Sequence, residues 1–418
     1  MKPQIGLIAH PQTRREITAV LEQERIFAFE DGFENAQLDA VLYVPGDERV
    51  SRQLEIFADQ ISLSDDALPL LAAMSPGPVN PADIAPFIPV PNLSVFCQLA
   101  RLRQRDRLTQ SEAKLRLETA ARLNVRAETR THNDRRTERI LFMGEPSPFY
   151  LRCSSDLRDA GKKVEAVLTE RTAFEALKHE KPDAFVFTTS ATNVPFELLD
   201  HIHGRPDLFN LPVIAIAEEP SRLPDLGDRV TALITLGKND TDNLLQILSV
   251  LRRQTQAMPV QERVAIAGLT DSCAGVFNAS FAELHLKAQI GQAVANGHDH
   301  TVAMIYPMEL ESGHPVSPTH LPAFGKLVRE GLRREDFVAR LDWERFLISL
   351  PGTETEEAER TMNRIASITE LTSQGPGRPQ MTFSHSLHPV HDYHQPDAFW
   401  RALQARKKRS DGRQAAVA

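Results

Sequence analysis

A chain of 418 residues, 41% hydrophobic and 6% aromatic, has the length for about two to four domains, each with its own core, and its formal net charge of -8 names no partner. No run of about 18 apolar residues is present, which excludes a membrane-spanning helix, and the opening Met1-Lys2-Pro3-Gln4-Ile5-Gly6-Leu7-Ile8 lacks the apolar core and cleavage site of a secretory signal. Three distant cysteines (Cys97, Cys153, Cys273) exclude a disulfide framework and a zinc ribbon, so the expected setting is reducing and cytoplasmic.

The first 98 residues alternate short apolar runs with helical stretches. Strands are expected at 5–9, 38–44, 68–74 and 85–88, with a helix after the first and another from Asn92. The alternation returns at 139–143, 182–188, 211–217 and 232–236, closed by a helix over 240–253. Continuous apolar strands between helices imply parallel sheets covered on both faces, so 1–98 and 139–255 each predict a doubly wound α/β domain.

Between them, 99–138 has no strand signal and reads as a charged linker helix, with Leu102, Leu108, Leu115 and Leu123 near helical spacing. Twelve Lys or Arg against six Asp or Glu over 101–139 raise nucleic acid as a partner. No aromatic residue is interleaved with them, which favours a solvated helix instead. After a linker at 256–265, residues 266–418 predict an α+β domain. Helices are expected at 281–295, 321–332, 356–371 and 397–408, strands at 301–306 and 381–386, and a hairpin around Asp342-Trp343-Glu344.

The last domain carries a resemblance. Asp271-Ser272-Cys273-Ala274-Gly275-Val276-Phe277-Asn278 resembles the opening D-x-L-T-G-L-x-N of GGDEF domains, and Arg340-Leu341-Asp342-Trp343-Glu344-Arg345-Phe346 resembles their R-Y-G-G-D-E-F hairpin. Two receiver-like (flavodoxin-like) domains ahead of it resemble the layout of PleD-type diguanylate cyclases. The broken signature is closer to the PopA-type cyclic-di-GMP effectors.

That resemblance implies tests the residues fail. Receivers hold Mg²⁺ on two acids and phosphorylate an Asp, because a divalent cation must neutralise the phosphoryl oxygens. The acid pair falls at Ala9 and His10 and the acceptor at Val44 in the first domain; in the second they fall at Gly144, Glu145 and Thr188. No phosphorylation is expected. Cyclases bind two metals through a strand Asp and a signature carboxylate. Pro307 stands at the first position, the guanine-recognition segments have no counterpart, and Asp342 and Trp343 replace glycines that let phosphates approach. No catalytic residue and no metal are expected, and Trp343 is expected to pack into the emptied site.

The family's product-binding site does have counterparts. Arg333-Arg334-Glu335-Asp336 lies in its R-x-x-D register, with Arg333 nine residues before Asp342, and Arg364 follows 22 residues after Asp342. Guanidinium groups can fork onto the O6/N7 edge of guanine and balance phosphates, while a carboxylate accepts from N1 and N2. The tetrapeptide alone says little, since Arg103-Gln104-Arg105-Asp106 repeats it. By resemblance, the expectation is a non-catalytic cyclic-di-GMP receptor binding through Arg333, Asp336 and Arg364. Also by resemblance, it is a homodimer through its receiver-like domains, found at a cell pole. Delivery of a cell-cycle regulator there, through an adaptor, to the ClpXP protease is likewise only what the resemblance implies. A ligand-independent dimerising scaffold and an active cyclase using Glu344 stay open as alternatives. His385, His388, His391 and His394 recur every third residue and raise a metal site, although Pro389 and Pro396 favour a polar loop.

Overall fold

The computed structural model describes residues 3–24, 26–29, 38–44, 50, 52–53, 70–74, 88–90, 93–125, 137–190, 193–205, 207–208, 210–217, 226, 229–235, 244–245, 247–248, 268–373, 379–392 and 395–405. The expected linker 256–265, His394, the basic run Arg406-Lys407-Lys408-Arg409 and most of the expected helix 240–253 lie outside the described residues. The chain divides into two compact units. One holds 2–107 and 133–256, the other 108–132 and 257–418.

The N-terminal unit contains two parallel sheets. The first is built from β1 (Gln4–Ile8), β2 (Phe27–Phe29), β3 (Ala40–Tyr43), β4 (Leu70–Met74) and β5 (Ile88–Val90), with α1 (Pro11–Gln23) crossing from β1 to β2. Helix α2 (Leu93–Arg122) follows. The second sheet comprises β6 (Arg139–Met143), α3 (Pro148–Asp159), β7 (Lys163–Val167), α4 (Glu170–His179), β8 (Ala184–Thr189), α5 (Phe196–Gly204), β9 (Val213–Ala217) and β10 (Ala232–Thr235). The strand orders, β2-β1-β3-β4-β5 and β7-β6-β8-β9-β10, are the same flavodoxin-like 2-1-3-4-5 pattern. Ala40–Tyr43, Arg139–Met143 and Val213–Ala217 are buried at every position, as strands covered on both faces must be.

The two sheets lie together, and the bounds of one expected helix change. One cluster joins Ile5, Leu42 and Phe96 to Phe142, Val186 and Ile214, and Gln98 accepts a hydrogen bond from the Leu233 amide. Residues 1–98 and 139–255, each with its own five-stranded sheet, thus lie together in one compact unit. The linker helix expected over 99–138 is instead Leu93–Arg122. Asn124 takes a left-handed φ of 59°, and Val125 N–H closes onto Ala120 O at 3.0 Å, which ends the helix in a Schellman-type turn.

The C-terminal unit is α+β. Helix α6 (Ala279–Asn296) starts on the Asn278 side chain, which accepts from Phe281 N–H at 3.0 Å. Then come β11 (His300–Glu309), α7 (Leu321–Glu330), β12 (Phe337–Arg340), β13 (Phe346–Pro351), α8 (Thr355–Thr372), β14 (Met381–Pro389), a short 3₁₀ turn (Val390–Asp392) and α9 (Pro396–Ala405). The antiparallel sheet runs β12-β13-β11-β14. Its side chains alternate between two cores: Ala303, Ile305, Val338 and Ile348 face α7 and α8, while Val302, Met304, Ala339 and Leu347 face α6 and α9. Leu117 and Ala120 of α2, and Leu123 just past its end, join the second core. At Gly325 of α7 a Cβ would collide with the Ala274 carbonyl, so only glycine lets that helix seat against the opening loop.

Pro307 sits inside β11, opposite Phe383. Its carbonyl accepts from Val316 N–H at 3.3 Å, which turns the proline nitrogen away from β14 as well. The strand therefore runs to Glu309, beyond the 301–306 expected, without losing a ladder bond.

Candidate functional site

The positions that the sequence aligned with receiver acids lie at or just past the ends of β1, β3, β6 and β8. Ala9 follows β1, with Arg14 Nη2 donating to its carbonyl at 3.3 Å, and Val44 N–H bonds Ile8 O at 2.9 Å. In the second sheet, a Cβ on Gly144 would run into the Thr188 hydroxyl and the Tyr150 ring. Tyr150 is buried, and its hydroxyl lies within 3.2 and 3.3 Å of the carbonyls of Phe142 and Val167. That corner is packed with uncharged groups. Glu145, outside it, accepts from Asn193 Nδ2 at 3.3 Å.

The hairpin loop between β12 and β13 is closed by its own side chains. Asp342 Oδ1 accepts from the amides of Glu344 and Arg345 at 3.1 and 3.0 Å, and Oδ2 accepts from Arg345 Nε at 2.8 Å and faces its Nη2 at 2.7 Å. Partial burial would raise the Asp342 carboxyl, but Arg345 and the two amides outweigh it and hold it below its usual range. Arg340 ties the loop to the opening motif, donating to Asp342 O at 2.9 Å and Asp271 Oδ1 at 3.1 Å. Trp343 does not fill this site, contrary to expectation. It is 67% exposed, with the Arg340 guanidinium 5.2 Å from its ring centroid. A four-residue turn pinned by Asp342 and Arg345 leaves its tip no inward direction.

At the other end of β12 lies the R-x-x-D loop, and its chemistry is the reverse. Arg333 N–H bonds Asp336 Oδ2 at 2.8 Å, closing the turn, while Asp336 Oδ1 is buried without a hydrogen-bond partner among the described residues. Asp336 is only 6% exposed and its neighbour Glu335 only 5%. Burial, then the adjacent Glu335 charge, push the Asp336 carboxyl up to about 7, although Arg333 and Arg116 pull it down. The Arg333 guanidinium reaches Glu357 Oε1 at 2.6 Å. Two turns further along α8, Arg364 Nη2 donates to Gly331 O at 3.3 Å. The structure therefore gathers Arg333, Asp336 and Arg364 around one short loop. In the decoy tetrapeptide, by contrast, Arg103 meets its own Asp106 at 2.5 Å.

Comparison with known families then identifies the unit. Residues 268–397 match the family model described as diguanylate cyclase, GGDEF domain. These residues are a GGDEF domain. Among solved structures, the chain is similar to the diguanylate cyclase SiaD of Pseudomonas aeruginosa in complex with its activator SiaC (18% identity, 39% of this chain, 69% of that one, TM-score 0.28). It is also similar to the FimX GGDEF domain of the same organism (20%, 33%, 90%, 0.30). A further similar structure is the GGDEF domain of DgcB from Caulobacter crescentus in complex with c-di-GMP (13%, 33%, 92%, 0.27). The comparison with curated proteins gives no match.

The expected polar histidine loop is a correction: His385 and His388 stand in β14, opposite Ile305 and Val302. Among the described residues no three His, Cys, Asp or Glu side chains converge as a metal site, in the GGDEF domain or elsewhere. What sequence reasoning missed is the polar face of α2 buried behind the R-x-x-D loop. Thr109, Glu112, Arg116 and Thr119 are each at most 5% exposed. Their spacing of three to four residues marks a helix face. On a basic helix, however, it reads as the solvated side.

Proposed function

We propose that the protein is a non-catalytic cyclic-di-GMP receptor in bacterial second-messenger signalling, a PopA-type effector in which ligand binding controls partner recruitment. The GGDEF domain ties the chain to cyclic-di-GMP signalling, and Asp336 carries the reading. A buried carboxylate oxygen without a donor is costly unless something supplies one. The N1 and N2 donors of guanine are of that kind. The guanidinium groups of Arg333 and Arg364, held at the same loop, suit the base edge and the phosphates.

Loss of cyclase chemistry is part of the proposal. It is supported by the hairpin loop, in which Asp342 and Arg345 pair with one another where two glycines would admit phosphates, and by Pro307 at the register of a metal-binding Asp. The receiver-like assignment rests on the shared 2-1-3-4-5 order. The uncharged packing of Gly144, Thr188 and Tyr150 supports the absence of phosphotransfer. By resemblance, the output is cytoplasmic and polar: an adaptor-dependent delivery of a cell-cycle regulator to ClpXP by a homodimer joined through the receiver-like domains. The ligand would act by binding one arrangement of the chain better than another.

Titration calorimetry of the full chain with cyclic di-GMP is expected to give a dissociation constant of about 1 μM or tighter, weakened at least tenfold in Arg333→Ala. No heat from the wild type, or an unchanged isotherm in the variant, leaves the scaffold alternative standing. Incubation with GTP and Mg²⁺ or Mn²⁺ is expected to form no product; sustained turnover would contradict the non-catalytic assignment.

A further inference from the structure

The R-x-x-D loop has a back wall, and the wall is α2. Arg116 Nη2 donates to Asp336 O at 2.9 Å and approaches Arg334 O at 3.5 Å, so one guanidinium holds two carbonyls of the loop. Thr109 Oγ1, two turns earlier, donates to Glu335 Oε2 at 3.3 Å. Arg116 is itself fixed, its Nε on Glu112 Oε1 at 2.5 Å and its guanidinium 5.5 Å from the Phe277 ring.

Glu112 is the hub behind it. Its Oε1 also meets His285 Nε2 at 2.7 Å, and its Oε2 accepts from Gln289 Nε2 at 2.7 Å. Burial alone would raise this carboxyl, but His285, Arg116 and the hydrogen bonds hold it at about 2. The chain continues inward, from Ser349 Oγ donating to Gln289 Oε1 at 2.7 Å to His300 Nε2 at 2.7 Å from Ser349 Oγ. Burial lowers the His300 pKa to about 4, and because Ser349 spends its one proton on Gln289, His300 Nε2 is the donor of the last bond. Such a buried polar chain is favourable only in one register, because a shift of α2 would strand several of these groups together.

We infer that Arg116, anchored by Glu112, is a positioning residue for the Arg333–Asp336 site, so that the seating of α2 on the GGDEF domain and ligand occupancy of the loop are coupled. Arg116 hydrogen-bonds the loop through the backbone carbonyls of Arg334 and Asp336. It sets the shape and charge the ligand meets without contacting the ligand. By linkage, a ligand that favours the held loop must equally favour the seated helix. The affinity part of this inference rests on the receptor reading; the coupling of helix and loop does not.

The test uses the full chain, Arg116→Gln, and Arg116→Lys, which keeps the charge. Amide hydrogen exchange in the absence of ligand is expected to quicken at 333–337 in Arg116→Gln, with 341–345 unchanged. Cyclic di-GMP is expected to bind Arg116→Gln about tenfold more weakly and Arg116→Lys at an intermediate strength. The pH at which binding falls should move upward in Arg116→Gln only, because a cation near Asp336 is lost. A purely structural role would not move that midpoint. Unchanged exchange at 333–337 in both variants overturns the coupling whether or not ligand binds. Unchanged affinity and pH midpoint, in a wild type that binds, overturn the positioning role. A wild type that binds nothing removes the receptor reading alone, and the exchange result still decides the coupling.

Discussion

Two aspartates stand six residues apart at opposite ends of β12, and they are chemical opposites. Asp342 spends both oxygens inside its own turn, on two amides and the Arg345 guanidinium, and is held below the usual carboxylate range even though its partial burial alone would raise it. Asp336 uses one oxygen for its turn and buries the other with no hydrogen-bond partner among the described residues; burial and Glu335 push it up to about 7. A carboxylate whose bonds are complete is structural. One that is buried and incomplete carries a desolvation cost that a donor from outside the chain would relieve. The carboxylate of the hairpin loop has both oxygens bonded within the loop, while that of the R-x-x-D loop has one.

The largest effect should come from the support of the incomplete site. Glu112→Ala leaves Arg116, His285 and Gln289 without their shared acceptor and is expected to lower unfolding stability by about 3–5 kcal/mol in denaturant titrations. If the comparison is right, exchange rises at 333–337 and not at 341–345. Equal disturbance of both loops would erase the distinction between them.

Next in size is a pair of substitutions with opposite signs. Asp342→Asn leaves the buried Arg345 without its ion pair and should destabilise the ligand-free protein by about 1–3 kcal/mol at pH 8. Asp336→Asn removes a buried negative charge beside Glu335 and should raise stability by about 1 kcal/mol. Raised in the folded state, Asp336 contributes stability that is present below its unfolded pKa of about 3.8 and lost as pH rises through about 7. The gain from Asp336→Asn should therefore vanish towards pH 4. The same sign governs binding: the ligand's donors need the carboxylate, so cyclic-di-GMP affinity should fall as pH drops from 8 to 6. A pH-independent isotherm would argue against Asp336 as the acceptor.

The smallest effect is expected at the tip of the completed loop. Trp343→Ala removes an exposed ring over Arg340 and should change stability by less than about 1 kcal/mol in thermal melts. A larger loss would mean that the tip is buried by something the isolated chain does not contain.

Much of this was legible in the residues. Val213–Ala217 and Ala184–Thr189 form where short apolar runs are bounded by Pro212 and Asp183, because a strand covered on both faces is decided locally. The β12–β13 hairpin and the placing of Arg333, Asp336 and Arg364 around one loop follow from register to the signature. The end of α2 was hidden because an Asn, not a Gly, takes the left-handed position. The outward Trp343 depends on the Asp342–Arg345 pair, whose geometry composition does not reveal. The back wall was hidden for a different reason. Arg116 and Asp336 are 220 residues apart, and a polar helix face looks the same in sequence whether it meets water or a buried loop.

The most direct test is a cyclic-di-GMP titration of the wild type and Asp336→Asn at pH 8. The account predicts a saturable isotherm for the wild type and at least tenfold weaker binding by a variant that is folded and no less stable. Equal affinity in the two proteins would contradict the claim that the buried, unpartnered oxygen of Asp336 is what the ligand completes.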